Sequence, residues 1–528
     1  MTAAAPTPAL PDAPAASGLR TLLFPLAIAL AVGLDYFDNS AFSFFISDIA
    51  GGIGAPPDEL IWSSSAYAVA GVLGILQHQW WVERLGHRHY IGACLLLFAA
   101  AGVLAALSQS SAELAVARAL QGYLMGPMMG ATRILIQQSF APRERGRATR
   151  LFLCSILLCS ALAPLAGGYL VADFGWRAVF VCTIPVALIT GGLVMLAVPA
   201  TGRLPPEQRG EPHLWPYVIA ALALGALQIV AQQLRTSPFS ESPGLEGLTL
   251  AGVLLLGAFL WHQWHHPRPL LHLHGLKEAT FRTGLMLYAL YYFISNAFSY
   301  LVSRFLQAGL GYPVENAGHL VGVTSLVALA GALLYFRFAG RLTRKKGLIT
   351  TGFVLAALIG TWLAHLPPDV SQSWLLLPLT LRGLLLLFIA LPVANLAFQP
   401  FALELYPHSY RVKNIVKQMA YSFSTATIIV LEQHRLALHQ TQLAANASLS
   451  NPVFASALEQ LTQRFAQAGA ALAAAHGLAL AEIQRVITQQ ANFMSVLDGF
   501  VFLGGVSAVA AGYALWPVSY THLRAHET

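Results

Sequence analysis

Long apolar stretches separated by short polar or basic segments run along nearly the whole chain. Fourteen of them, near 21–47, 60–80, 90–109, 112–138, 149–172, 176–199, 214–235, 245–265, 281–306, 316–338, 347–366, 373–399, 411–434 and 495–516, approach or exceed the roughly twenty residues that cross a bilayer as a helix. In hydrocarbon each backbone amide must be satisfied within its own segment, so the pattern predicts helices rather than an open sheet. The expected fold class is an all-α polytopic membrane protein with fourteen transmembrane helices.

Cations in the connecting segments give that reading a direction. Every second loop is basic: Arg84 and Arg88; Arg143, Arg145, Arg147 and Arg150; Arg203 and Arg209; Arg268, Lys277 and Arg282; Arg341, Arg344, Lys345 and Lys346; Arg411, Lys413 and Lys417. The loops SDIAGGIGAPPDE, SQSSAE and LPPDVSQS between them carry no Lys or Arg. The positive-inside rule then puts the basic loops and the N-terminus in the cytoplasm of a bacterial inner membrane.

Composition agrees, with 10% charged and 56% hydrophobic residues across 528 positions and a mean hydropathy of +0.61; a soluble chain carries about 25% charged residues. The net charge of +7 is used up by the topology, leaving no continuous basic patch for nucleic acid. Cys94, Cys154, Cys159 and Cys182 all fall within spans without CxxC spacing and read as small core residues.

Residues 1–19, rich in Ala and Pro, read as a disordered cytoplasmic tail with no signal peptide. Residues 517–528 break the composition abruptly after Trp516 and read as a non-native tail, set aside from fold and function. A weak internal repeat pairs VERLGHRH with AGRLTRKKG, and Arg118-Ala-Leu-Gln-Gly of span four with Arg382-Gly of span twelve. It predicts a six-helix half over 20–199, a linker with two inserted spans over 200–280, and a second six-helix half over 281–516. Carriers built from such repeats bind their cargo near the midplane and rock around it. The segment 435–494 has an amphipathic helical spacing through Phe454, Leu458, Leu461, Phe465 and Leu472. It reads either as a dock for a periplasmic adaptor protein or as a hairpin capping its own bundle.

Ionisable residues inside spans mark function by default. Asp35 and Asp38, spaced i, i+3, share one side of span one, and Arg118 lies in span four with Gln121 one turn away. Desolvation raises a carboxyl pKa and a nearby guanidinium lowers it, so such a group can load and release a proton as its access changes. Asp35, Asp38 and Arg118 are therefore the proton-coupling candidates, with protons the coupling ion and no cofactor. Gln121, Tyr36, Arg382 and Tyr292 are candidates for the substrate pathway, within an aromatic set that also holds Phe37, Tyr288, Tyr291 and Phe293. Gly122, Gly126 and Gly130 form a close-packing stripe, and Pro164 with Gly167 and Gly168 makes span five bendable. His262, His265, His266, His272 and His274 lack a metal-ligand spacing and read as an interfacial loop, so no metal is expected. The absence of GxxxxGK[ST], GxSxG and HExxH removes ATP hydrolysis and common hydrolases as functions.

These motifs resemble the major facilitator superfamily, in particular its fourteen-span EmrB/QacA-type drug:proton antiporters. LDYFDNSAFSFFISDIA followed by ELIWSSSAYAVAGVL looks like the family's opening and carries its aspartate onto Asp35; ARALQG carries its arginine, glutamine and glycine onto Arg118, Gln121 and Gly122. APLAGG before FGWRAVFVCTIP is similar to the span-five antiporter motif, ALQIVAQQLRTSPFSESP to the inserted seventh span, and LLLPLTLRGLLLLF to the twelfth. The loop motif is carried by Glu83, Arg84, Gly86 and Arg88, with Gln79 where the family has Gly, Glu83 where it has Asp, and His87 where it has Arg; Ala163 stands for the Gly before Pro164. The resemblance implies the major facilitator fold and a secondary active transporter, not an enzyme: a proton-coupled multidrug efflux antiporter. In that role it would move small amphipathic substrates across the lipid bilayer, a proton on Asp35 weakening its pairing with Arg118. A carrier for a specific metabolite, lipid or siderophore, and a non-transporting membrane sensor or assembly protein, are the alternative readings.

Overall fold

A computed structural model of the chain describes residues 18–56, 59–210, 214–233, 242–266, 269–338, 345–397 and 405–515. Nearly all of the predicted N-terminal tail, the segment from Trp516 on, Arg268, Arg341, Arg344 and residues 234–241 of the inserted-span motif lie outside the described residues. In chain order the helices are α1 (Gly18–Phe44), α2 (Ile46–Ile53), α3 (Ile61–Leu107), α4 (Ser111–Met125), α5 (Met128–Ser139), α6 (Pro142–Phe174), α7 (Ala178–Val181), α8 (Thr183–Ala197) and α9 (Leu214–Gln233). They continue as α10 (Pro243–His265), α11 (Ala279–Arg304), α12 (Val314–Phe338), α13 (Lys345–Ala364), α14 (Gln372–Leu385), α15 (Leu391–Ala397), α16 (Tyr406–Ala445), α17 (Pro452–Gln467) and α18 (Leu472–Leu515).

In their described residues, all fourteen apolar segments read from the sequence lie mainly on these helices. Nine helices among the described residues are individually long and apolar enough to cross a membrane, and α3 with its 47 residues carries two predicted spans. Gly86 divides α3 at φ 77°, a left-handed backbone that costs glycine nothing, and so turns the chain between those spans. Local chemistry sets the ends: Ser110 accepts the Glu113 amide at the start of α4, Asn451 caps α17, and prolines open α6, α10, α16 and α17. Pro127 lies between α4 and α5, breaking span four, and π-turns at Phe305–Gly309 and Leu386–Ala390 follow α11 and α14.

Two clusters of buried side chains form the interior, one dominated by α1, α3–α6 and α8, the other by α11–α16 and α18. The inserted helices α9 and α10 pack through Leu224 and Phe259 against Val72 and Leu76 of α3 and Met419 of α16. Elsewhere the halves mesh backbone to backbone. A Cβ on Gly318 of α12 would stand 2.3 Å from the Pro164 carbonyl oxygen of α6, and one on Gly168 would stand 3.2 Å from Glu315 Cα. Pro164, Gly167 and Gly168 mark the α6 half of this joint in the sequence, whereas nothing local marks Gly318 as facing another helix.

At the opposite end from the N-terminus, α16 and α18 run on beyond the bundle. With 40 and 44 residues they are about 60 and 66 Å long, twice what a bilayer needs, and α17 packs against the projecting end of α18.

One expectation needs correction. Arg411, Lys413 and Lys417, counted as cations of a cytoplasmic loop, lie inside α16 and are only 5%, 3% and 4% exposed. The helix starts at Tyr406 with Pro407 in its first turn, so all three are already within the bundle. Arg411 donates to the Leu270 carbonyl at 3.0 Å, and Lys413 lies over the Tyr288 and Tyr410 rings.

Candidate functional site

A cavity of about 210 Å³ lies between the halves. From the first half it is lined by Asp35, Tyr36, Asn39, Phe42, Tyr67 and Arg118, and from the second by Tyr291, Tyr292, Asn296, Arg382, Lys417 and Tyr421. Each is on a helix crossing the middle of the bundle, so the surrounding packing holds its direction.

The acid–base pairing differs from the expected one. Arg118 Nη1 donates to Asp38 Oδ2 at 2.5 Å, with both side chains 1% exposed, and also to Gln121 Oε1 at 2.9 Å. The guanidinium is sandwiched by the Phe42 and Tyr67 rings at 4.4 and 4.3 Å. Asp35 instead accepts from the Tyr67 hydroxyl at 2.6 Å and from Asn39 Nδ2 at 3.0 Å, and its other oxygen lies 3.7 Å from Lys417 Nζ. The predicted Asp35–Arg118 pair is thus replaced by two: Asp38–Arg118 within the first half, and Asp35–Lys417 across the two halves. The physical reason is rotation of α1. Residues 35 and 38 point about 60° apart around the axis, and the packing of α1 against α6 and α8 decides which of them meets the arginine.

Lys417 was missed as a site residue because it was read as a loop cation. The available signal was the polar stripe Asn414, Lys417, Gln418, Tyr421, Ser422 and Thr425, spaced i, i+3/i+4 on one face of an apolar helix. Its ammonium lies 4.3 Å from the Tyr36 ring and 5.5 Å from that of Tyr421. Tyr36, Tyr291 and Tyr292 of the predicted aromatic set line the cavity, whereas Phe37, Tyr288 and Phe293 pack elsewhere in the core. Gln121 is fully buried behind Arg118, away from the wall, so the structure places it as a holder of the guanidinium rather than on the cavity surface.

The motif residues clamp helices. Gly122 lets α4 approach α3 so closely that a Cβ would stand 2.1 Å from the Tyr67 carbonyl oxygen. Gly167 abuts the Phe45 ring, and Pro164 and Gly168 face α12. Glu83 accepts from Gln79 Nε2 and from the Gly210 amide, both at 2.9 Å. Arg84 donates to the Gly210 carbonyl at 3.1 Å and Arg88 to the Val198 carbonyl at 2.6 Å. Together with the turn at Gly86 they fasten α3 to the segment that leaves the first half. From the inserted α9, Gln228 donates to Ser65 at 2.7 Å and accepts from Ser422, tying α3 to α16 beside the cavity.

The cavity is bounded by contacts between the halves toward both ends. Toward the projecting helices, Ser303 donates to the Phe44 carbonyl at 2.6 Å. Toward the other, Arg133 donates to Tyr410 at 3.0 Å. Among the described residues no group of three or more His, Cys, Asp or Glu side chains is placed to hold a metal; His262 and His266 stack at 4.9 Å.

Two helical halves around a charged, aromatic-walled cavity define a polytopic membrane transporter, not an enzyme. The chain belongs to the Major Facilitator Superfamily, whose profile matches residues 28–428. It is 23% identical over 476 residues to the probable multidrug resistance protein EmrY of Escherichia coli (strain K12), covering 90% of this chain and 91% of that one. It is also 21% identical to the fatty acid resistance protein FarB of Neisseria gonorrhoeae, covering 94% and 95%. The EmrB-type resemblance read from the motifs is thus met again over nearly the full length. In fold the chain is similar to an inward-facing, unoccupied bacterial homologue of the human lysosomal transporter Spinster, with a TM-score of 0.58 at 14% identity, covering 94% of this chain and 97% of that chain.

Proposed function

We propose that this protein is a proton-coupled exporter of amphipathic or lipophilic compounds that works by alternating access. The observation that carries the reading is the Asp35–Lys417 contact, 3.7 Å across the junction of the two halves inside the cavity. A proton on Asp35 removes the charge that faces Lys417 and so weakens a contact between the halves, which then part on one side and close on the other. Loss of that proton restores the attraction. Asp38 and Arg118 stay paired within one half and anchor α1 to α4 through the cycle. The tight α6–α12 joint at Pro164 and Gly318 serves as a pivot. Names given to relatives, multidrug resistance for EmrY and fatty acid resistance for FarB, support export and set amphipathic compounds as the first to test.

The basic loops support a bacterial inner membrane and a cytoplasmic N-terminus. On that orientation the projecting ends of α16 and α18 reach into the periplasm. Exposed Leu438 of α16, Leu449 of the loop after it, Val453 of α17, and Leu472 and Leu478 of α18 give a periplasmic adaptor a surface to dock on.

The test uses proteoliposomes of the full chain with an imposed pH gradient, following efflux of a lipophilic dye. Gradient-dependent flux in the wild type, lost in Asp35→Asn and in Lys417→Met, is the expected result. Flux that persists in both variants, or that ignores the gradient, overturns the coupling.

A further inference from the structure

Arg118 and Arg382 occupy related places in the two halves, on α4 and α14, and both reach the cavity wall. Their surroundings differ in one respect. Arg118 is neutralised by Asp38 of α1. The counterpart of α1 in the second half is α11, and its sequence, ATFRTGLMLYALYYFISNAFSYLVSR, holds no Asp or Glu. Among the described residues Arg382 donates only to the Phe298 carbonyl of α11, at 3.4 Å, and forms no ion pair. Three cations (Arg118, Arg382 and Lys417) therefore face the cavity against Asp35 on the wall and Asp38 behind it.

An uncompensated guanidinium at this depth is costly unless something supplies the missing charge. The local fold holds Arg382 there. Gly383 beside it lets α14 press onto α12, where a Cβ would stand 2.4 Å from Ala328 Cβ. The π-turn at Leu386–Ala390 begins one turn later, and Leu385 and Leu386 line the same wall. Around the guanidinium the wall offers an apolar and aromatic surface through Tyr291, Tyr292 and Val321.

We propose that Arg382 is the anchor for the acidic headgroup of the cargo, so that the transported compounds are amphipathic monoanions whose carboxylate takes in the second half the place Asp38 holds in the first. The guanidinium fork presents paired donors to a carboxylate, and the tyrosine-lined wall takes the apolar body. The assignment deepens the export reading and rests on it for the cavity being the cargo site.

The experiment is equilibrium binding to the purified full chain in lipid nanodiscs without a gradient, comparing tritiated dodecanoate with dodecyltrimethylammonium of equal tail length. Expected are tighter binding of dodecanoate by the wild type and a roughly ten- to hundredfold loss in Arg382→Gln. Arg382→Lys recovers most of it, and binding of the trimethylammonium is unweakened in Arg382→Gln. Preference of the wild type for the cation overturns the proposal, as does dodecanoate binding in Arg382→Gln within about twofold of wild type. Equal loss in the Gln and Lys variants also overturns it, because a structural role would not distinguish a retained charge. The assay needs no proton gradient, so failure of the Asp35 coupling leaves it readable: gradient-independent flux with Arg382-dependent binding would remove the coupling and keep the anion site.

Discussion

Asp38→Asn is expected to destabilise the folded chain far more than Asp35→Asn, although both remove one carboxylate from the same side of α1. At an effective dielectric of about 20, opposite charges 2.5 Å apart, as in Arg118–Asp38, attract by about 6–7 kcal/mol, and a pair 3.7 Å apart, as in Lys417–Asp35, by about 4–5 kcal/mol. Desolvation of the partners offsets most of either figure, so the measurable quantity is what is left unpaired. Removing Asp38 leaves a guanidinium that is 1% exposed, for which breaking a buried pair costs about 3–5 kcal/mol. Gln121 and the two aromatic faces remain, which puts the expectation near the lower end, about 3 kcal/mol. An asparagine at 35 still accepts from Tyr67, and Lys417 borders the cavity, so that change should cost about 1 kcal/mol. Equilibrium unfolding in mixed micelles with increasing sodium dodecyl sulfate, read by thiol-dye labelling of buried Cys94 and half-buried Cys159, measures both. A double-mutant cycle with Arg118→Gln isolates the pair. The reasoning is refuted if Asp38→Asn costs under about 1 kcal/mol, or if Asp35→Asn costs as much.

Gly318→Val should fold into the membrane yet abolish flux, because its side chain would meet the Pro164 carbonyl where a Cβ already comes within 2.3 Å; dye efflux alongside micellar gel filtration checks this, and normal flux contradicts the pivot. Gly86→Ala should cost about 1–2 kcal/mol in the same unfolding assay, since φ 77° is a left-handed conformation. His408, in the first turn of α16, is held down to about 3 by burial, then by Arg411 and His272. Its folded value lies below the ordinary 6.5, so the unfolded chain takes up the proton first, and the stability it contributes is full above that pH and falls as the pH drops toward about 3. Acidifying from pH 7 to pH 5 should therefore cost about 2 kcal/mol that His408→Gln does not lose, and parallel pH profiles of the two proteins would contradict the assignment.

What the chain determines locally was legible in the sequence. Segment length against bilayer thickness, the run of apolar residues and the turn residues between them depend on near neighbours alone, and in their described residues all fourteen predicted spans lie mainly on helices. The ionisable residues Asp35, Asp38, Arg118 and Arg382 stood out for a similarly local reason: charge inside an apolar run needs a partner. Which partner it finds is a different quantity. Asp35 and Asp38 differ by one small rotation about α1, and only packing against α6 and α8 gave Arg118 to Asp38. Lys417 has the appearance of a loop cation until the continuity of α16 is known, and its contact with Asp35 joins residues 382 positions apart in a chain of 528. The tertiary structure alone also left Arg382 without a carboxylate among the described residues, because the helix set opposite it is decided by how two six-helix halves close on one another. Hydrophobic length is a sum over one segment; the pairing of buried charges depends on the rotation and depth of several helices at once.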